Sequence, residues 1–109
     1  MANSYKFFGK ALATTSETSI LTAASNETLI IKSIIVTNNT GNTPTISMDV
    51  TDNSESATDF TILHTKSLTA NNSVELLSVP LVLESSDILK ATISSTDSIH
   101  IGISYLSIT

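Results

Sequence analysis

The chain has 109 residues, no cysteine and a formal net charge of −5 at neutral pH. This length allows one domain with one hydrophobic core, and a hydrophobic fraction of 40% is sufficient to fill it. The lack of cysteine excludes disulfides, thiolate metal sites and cysteine nucleophiles. All five basic residues are lysines spread along the chain, so the clustered charge and arginines typical of nucleic-acid-binding surfaces are missing. We therefore expect no nucleic-acid partner.

The polar residues are dominated by 18 Ser and 17 Thr, and the apolar residues are mostly Ile, Leu and Val. β-Branched residues favour the half-buried surface of a sheet, whereas Ser and Asn favour turns. Short alternating segments separated by turn residues recur from end to end. The pattern predicts an all-β fold, namely a single antiparallel β-sandwich or jelly roll of about seven to eight strands formed by residues 1–109.

The N-terminal half contains the first four predicted strands. Residues 5–12 and 18–21 form the first two, and residues 1–12 are an edge strand or an interface arm. Residues 29–36 are almost continuously apolar, which indicates a strand that is buried on both faces or bent at a bulge. Residues 45–51 alternate cleanly. Since the Asn- and Gly-containing residues 38–44 form a turn between these last two strands, we predict that they pair as a hairpin.

The C-terminal half contains further short strands at residues 60–64, 74–77, 79–84 and 87–93, and Pro80 belongs at a strand start, an edge or a bulge. The last strand, residues 98–108, places Ile99, Ile101 and Ile103 on one face, together with Tyr105. Leu106 and Ile108 fall on the opposite face. This strand therefore requires either a bulge or a second covered face.

Few residues offer chemistry. His64 and His100 each alternate with apolar neighbours in a strand, which favours a position facing solvent or an interface over a catalytic or metal-binding role. An acidic segment could hold a hard cation, but it matches no calcium-loop pattern and is interpreted as a solvated loop. Its carboxylates are Asp49, Asp52, Glu55 and Asp59.

No catalytic motif is present. The chain has three glycines and no Gly-x-Ser-x-Gly elbow, so it offers neither a phosphate-binding loop nor an activated serine. Asp87 and Asp97 lie at Ser-rich turns, where Asp hydrogen-bonds the local backbone. The aromatic residues could form a sugar-binding platform, although packing in a core or an interface is the more ordinary use. We therefore predict no enzymatic activity and no cofactor or metal.

Two segments resemble known proteins. One is residues 29–38, with the Thr/Asn/Gly turn and alternating strand that follow; the other is residues 76–90, closing with residues 103–108. Together they resemble small structural proteins in the virions of tailed bacteriophages, particularly those of marine hosts. In that group a β-sandwich is attached to the capsid shell, the neck or the tail. This chain departs from the group at Ser86, where a Gly usually precedes the turn Asp.

The resemblance implies a virion structural protein, most specifically a capsid decoration (cement) protein that binds the major capsid protein or other virion proteins. The alternatives are a tail, neck or baseplate component and a carbohydrate-binding or adhesive module. Few charges and prolines protect the sheet edges, and residues 5–8 and 98–108 carry apolar surface to be covered, so we expect a homo-oligomer. The resemblance implies a trimer before a dimer. We expect no membrane contact, and virion localisation after synthesis in the cytoplasm, because no signal peptide or apolar span is recognisable. The predicted interface residues are Tyr5, Phe7, Phe8, Tyr105, Leu106 and Ile108.

Overall fold

The computed structural model describes residues 2–109, which form nine β-strands and one short 3-10 turn at Asn53–Glu55. The strands are β1 (Asn3–Leu12), β2 (Thr18–Thr22), β3 (Thr28–Asn38), β4 (Thr45–Asp52), β5 (Thr58–Ser67), β6 (Ser73–Glu75), β7 (Leu81–Leu83), β8 (Ile88–Ile93) and β9 (Ile99–Ile108). Within residues 2–109, no helix is long and apolar enough to cross a membrane.

The strands form two packed antiparallel sheets. The five-stranded sheet has the order β1-β9-β3-β6, with β7 also paired to β3, and the four-stranded sheet has the order β2-β8-β4-β5. If the three-residue β7 is set aside, the first strand pairs with the last, and the second with the last but one. This is the wound order of a jelly roll. The predicted sandwich is confirmed, with nine strands in place of seven to eight.

The core lies between the sheets and is almost entirely aliphatic. Alternate residues of the four central strands point inward, as period-2 patterning requires. Replacing one such side chain by Ala typically costs about 2–5 kcal/mol. The buried core residues on these strands are Leu29, Ile31, Ile34 and Val36 on β3, Ile46, Met48 and Val50 on β4, Leu89, Ala91 and Ile93 on β8, and Ile99, Ile101 and Ile103 on β9.

The predicted hairpin between β3 and β4 is wrong, because the two strands lie in different sheets. The turn residues were recognised correctly, but the segment crosses the end of the sandwich. Asn38 fixes this crossing: it is 1% exposed, and its side-chain amide donates to the carbonyl of Asn42 at 2.8 Å. The Asn38 carboxamide oxygen accepts from the backbone N–H of Thr40 at 3.0 Å. With β9 already paired along β3, β4 extends the other sheet instead.

The bulge expected in the 29–36 segment is present. The register of β3 against β9 shifts between Ile31 and Ser33, so that both Ile31 and Ile34 point into the core. The Glu75 carboxylate supports the bulge by accepting from the Ser33 hydroxyl and from the backbone N–H of Ile34 at 2.7 Å. Strand β9 pairs with β1 without interruption, so the bulge that was one of the two alternatives for residues 98–108 is not found in β9; the register shift lies in β3.

Candidate interaction surface

The outward side of the five-stranded sheet carries a row of apolar side chains. Tyr5 on β1 pairs with Leu106 on β9, Leu106 pairs with Ile30 on β3, and Ile30 pairs with Val82 on β7. Directly paired residues share a face of a sheet, so these four side chains are neighbours. Tyr5 is 77% exposed and Val82 is 50% exposed. The row therefore presents a continuous apolar strip to solvent across four strands.

A second row contains a pair of glycines. Gly9 on β1 pairs with Gly102 on β9, and Gly102 pairs with Ile35 on β3. The ring of Phe7 lies over both glycines, since a Cβ added to Gly102 would stand 3.0 Å from it and one added to Gly9 would stand 3.4 Å from it. Beside the ring is a shallow groove of about 490 Å³ whose floor is the glycine pair and whose walls include His100.

These residues together form what we term the outer apolar face. Its members project from the solvent side of the five-stranded sheet, and several expose large apolar area. Exposed contiguous apolar surface marks interaction sites in soluble proteins. The face consists of Tyr5, Phe7, Ile30, Ile35, Val82, Leu106 and Ile108.

The outward side of the four-stranded sheet provides an internal contrast. There Ser47 pairs with Thr92, and Asp49 pairs with Lys90. The Lys90 ammonium also lies 3.2 Å from a carboxylate oxygen of Asp59. A polar, charged outer face is typical of a sheet that faces water. The same chain thus builds one ordinary solvated face and one apolar face.

The predicted interface residues divide between the two sides of the five-stranded sheet. Tyr5, Phe7, Leu106 and Ile108 belong to the outer apolar face, which the structure therefore brings together. Phe8 and Tyr105 have the opposite parity and pack partly against the core. Other members of this face were not predicted from the sequence. The missed members are Ile30, Ile35 and Val82. For Ile30 and Ile35 the signal was the continuous apolar run at residues 29–36, in which both parities are apolar, and for Val82 it was the apolar run at residues 81–83.

The two histidines lie on different sheets. His64 is on β5 and His100 is on β9, and both are exposed. The prediction that each faces solvent or an interface is confirmed in its geometry. His100 lines the groove beside Phe7. The two imidazoles therefore do not converge on one site.

The acidic segment at residues 49–59 does not act as one loop. Asp59 accepts from the Thr51 hydroxyl at 2.5 Å and from the Lys90 ammonium at 3.2 Å, and these contacts lower the pKa of its carboxyl. The hydrogen bond from Lys90 to Asp59 raises the pKa of the ammonium. Asp52 instead caps the 3-10 turn, accepting from the backbone N–H of Ser54 at 3.1 Å. The carboxylates thus hold local structure.

Asp52 also approaches two carboxylates from the segment between β7 and β8, Glu84 and Asp87. One ligand oxygen from each of the three lies within 4.8 Å of the others. Such oxygens suit hard cations. However, the two oxygens of the buried Asp87 already accept from the backbone N–H groups of Asn53 and Glu84, each at 2.9 Å. This acidic cluster therefore has a sufficient structural role in joining two turns.

No family model and no curated protein matches the sequence. Several solved structures share the fold. A chain of the infectious bursal disease virus particle aligns with a TM-score of 0.61 and 9% identity, over 96% of this chain but 30% of that chain. A subunit of the Bacillus endospore appendages, a family of disulfide-linked pili, aligns with a TM-score of 0.57 and 10% identity, over 97% and 84% of the two chains.

The Drosophila NLP-core, described in terms of pentamer formation and histone binding, aligns with a TM-score of 0.55 and 16% identity, over 94% of this chain and 98% of that chain. At such low identities these likenesses establish the fold alone. The sandwich of this chain thus occurs both within a longer viral chain and as nearly the whole of shorter chains.

Proposed function

We propose that the protein is a non-enzymatic structural protein of a bacteriophage virion, most specifically a capsid decoration protein. The observation that carries the proposal is the outer apolar face, set against the polar outer face of the other sheet. A protein that attaches to a shell needs a stable small domain and one adhesive surface, and it needs no active site. The partner is the major capsid protein or another virion protein.

The character of the face supports a protein partner. On β1 and β9 its members lie between uncharged residues, since the outward positions on these strands also include Asn3, Ser104 and the two glycines. Interface centres are depleted in charge and enriched in aromatic residues. Two ring side chains, Tyr5 and Phe7, stand exposed at one border of the face. Such rings are the residues on which binding energy usually concentrates.

The fold supports the same proposal at a general level. Jelly rolls are common in viral capsid proteins. The three similar structures are named for assemblies of many subunits: a virus particle, a pilus and a pentamer. A sandwich with one apolar face is suited to such repeated contacts. We accordingly propose that this chain also forms a homo-oligomer.

The second candidate is a carbohydrate-binding or adhesive module, because jelly rolls also occur in lectins and the groove beside Phe7 could receive a ring. A sugar site normally combines an aromatic platform with several convergent polar groups. The groove offers mainly Thr37 and His100 as polar side chains besides Lys10. This mostly apolar lining favours a protein partner over a glycan.

The decisive experiment is mass spectrometry of purified particles from the source, followed by cryo-electron microscopy. We expect the chain in many copies per particle, with the five-stranded sheet against the shell. Density at the neck, tail or baseplate would replace the decoration role with the alternative virion role. Absence from particles, together with specific retention on a glycan array, would overturn the proposal in favour of the adhesive module.

Matched variants test the face itself. Leu106→Lys places a charge at the centre of the outer apolar face, and Thr92→Lys places the same charge on the outer side of the other sheet. Both positions face outward, so each variant retains the core. We expect Leu106→Lys to lose incorporation into particles and Thr92→Lys to keep it. Equal incorporation of both variants would contradict the assignment of the face.

A further inference from the structure

Strand β1 is the one long and regular sheet edge within residues 2–109. The opposite edge of its sheet consists of β6 and β7, which have three residues each. In the other sheet, β2 has five residues and a register shift, whereas β5 has ten residues but two register shifts. Bulges and short strands blunt an edge against further pairing. β1 has ten residues in unbroken register with β9, so it lacks this protection.

The free hydrogen-bonding groups of β1 belong to its outward-facing residues. Ala2 and Thr109 exchange two backbone hydrogen bonds, at 3.0 and 2.9 Å, which makes them a hydrogen-bonded pair. Such pairs alternate along an antiparallel ladder, so the even-numbered residues of β1 bond to β9 and the odd-numbered residues direct their N–H and C=O groups to the open edge. The odd-numbered residues are Asn3, Tyr5, Phe7, Gly9 and Ala11.

We propose that β1 pairs antiparallel with β1 of a second copy, about a two-fold axis at Phe7. Odd residues must face odd residues if the free groups are to bond. With Phe7 opposite the second Phe7, Tyr5 faces Gly9 and Asn3 faces Ala11. All five odd residues of each strand are then paired, giving about ten hydrogen bonds. The two five-stranded sheets become one continuous sheet.

The lysines of β1 select this register. Lys6 and Lys10 are exposed on the inward side of the strand, so pairing does not bury them. With Phe7 on the axis, Lys6 faces Phe8 and Lys10 faces Ser4. A shift of the register by one step places Lys6 opposite Lys6, or in the other direction Lys6 opposite Lys10. Like charges directly opposite each other destabilise a sheet.

The groove fits the same arrangement. Tyr5, the most exposed large apolar side chain, faces Gly9, which contributes no side chain and forms part of the groove floor. The partner's Tyr5 ring therefore lies in the groove beside the ring of Phe7, which itself covers Gly9. Aromatic rings packed side by side add to the stability of an interface. Pairing would bury apolar surface of both copies along with the backbone edge.

This inference is independent of a role in virions, and charge complementation tests it. We expect sedimentation of the native chain at 10–200 μM, a range of about 20-fold, to give twice the 11.5 kDa of one chain. Phe7→Lys and Phe7→Glu should each weaken dimerisation by about tenfold or more, since residue 7 faces itself. An equimolar mixture of the two should dimerise again. A mixture of Tyr5→Lys and Tyr5→Glu should not dimerise more strongly than either variant alone, because residue 5 faces Gly9 and the two charges do not meet.

A thiol variant captures weaker association. The chain has no cysteine, so Phe7→Cys carries a single thiol. The Cα atoms of a hydrogen-bonded pair lie about 5.5 Å apart, within the range that a disulfide spans. We expect oxidation to give a covalent dimer of Phe7→Cys and none of Tyr5→Cys. Phe60→Lys, on the irregular edge strand β5, should leave the mass unchanged. Circular dichroism and thermal melting confirm that each variant is folded.

Three results would overturn the inference: a native chain that remains monomeric at the highest concentration with no cross-linking of Phe7→Cys, a dimer that Phe7→Lys leaves intact, or complementation by the Tyr5 pair. A mass three times that of one chain would favour the trimer expected from the resemblance instead. A monomeric chain that still enters particles would refute the pairing of β1 and leave the proposed virion role standing.

Discussion

Glu75→Ala should destabilise the protein more than its exposed position suggests. The Glu75 carboxylate accepts from the backbone N–H of Ile34 at 2.7 Å and of Leu77 at 3.1 Å, as well as from the Ser33 hydroxyl. Ile34 follows the β3 bulge and is itself fully buried, so truncation leaves its N–H without a protein partner. A lost hydrogen bond to a charged group costs about 1.5–3 kcal/mol.

Because the Glu75 side chain is open to water, which replaces part of the loss, we expect a decrease of about 1–2 kcal/mol in the free energy of unfolding. In a domain of this size that corresponds to a fall in Tm of about 5–10 °C. Urea unfolding and thermal melting by circular dichroism measure both quantities. The control is Glu55→Ala in the exposed 3-10 turn, which should stay within about 0.5 kcal/mol of the native chain. Equal effects of the two substitutions would refute the role of Glu75 at the bulge.

Three further predictions concern stability. Ser86 has a φ of 68°, which favours glycine, so Ser86→Gly should raise the free energy of unfolding by about 0.5–1 kcal/mol in urea titrations; a decrease would contradict this reasoning. Hydrogen bonds, chiefly the one from Ser107, lower the folded-state pKa of Glu27 below its usual value of 4.5. Burial raises the pKa of Glu75, but the hydrogen bonds to its carboxylate outweigh burial and lower that pKa below 4.5 as well. The stability that these two carboxylates contribute is therefore fully present above pH 4.5 and is lost as the pH falls through their folded-state pKa values. The free energy of unfolding, measured at pH 7 and at pH 3, tests this expectation. His64→Ala, His100→Ala and the addition of a chelator should each leave Tm unchanged. A fall in Tm of several degrees on chelation would instead reveal a cation in the acidic cluster.

The sequence was sufficient for the strands and for most of the core. Alternation placed Ile46, Met48 and Val50 on one face of their strand, and Ile99, Ile101 and Ile103 on one face of the last strand, and all six residues are buried. This success has a simple cause. Side chains of a strand alternate between two faces whatever its neighbours are, so burial follows from local pattern.

Strand pairing was not predictable in the same way. The turn residues between β3 and β4 are those of a hairpin, yet the connection crosses to the other sheet. The decisive contacts are distant in sequence: β9 pairs along β3, and the buried Asn38 also approaches the carbonyls of Leu68 and Thr69. A local turn signal does not report which strand edge is already occupied.

The interaction surface was only partly predictable for a related reason. An apolar residue in an alternating strand is assigned to the core by default, so Ile30 and Ile35 became visible as surface residues only once the bulge and register of β3 were known. Phe8 was included with the aromatic segment at residues 5–8, and Tyr105 was included because residues 98–108 carry apolar residues on both faces. Their parity instead directs them toward the core. The side of the sheet on which a residue lies, more than its type, separates members of the outer apolar face from residues that pack against the core.

The proposed pairing through β1 and the proposed attachment through the outer apolar face overlap only at Tyr5 and Phe7. The pairing consumes the backbone edge and covers the rings of Tyr5 and Phe7, whereas Ile30, Val82 and Leu106 lie farther into the sheet and stay open. Two copies joined at β1 would place their outer apolar faces side by side on one continuous sheet. Linked sites bind with an avidity that exceeds either single affinity. A shell with repeated binding positions would therefore retain the pair more strongly than one copy, and the Phe7→Lys variant should occupy particles more weakly although its outer apolar face keeps these three residues.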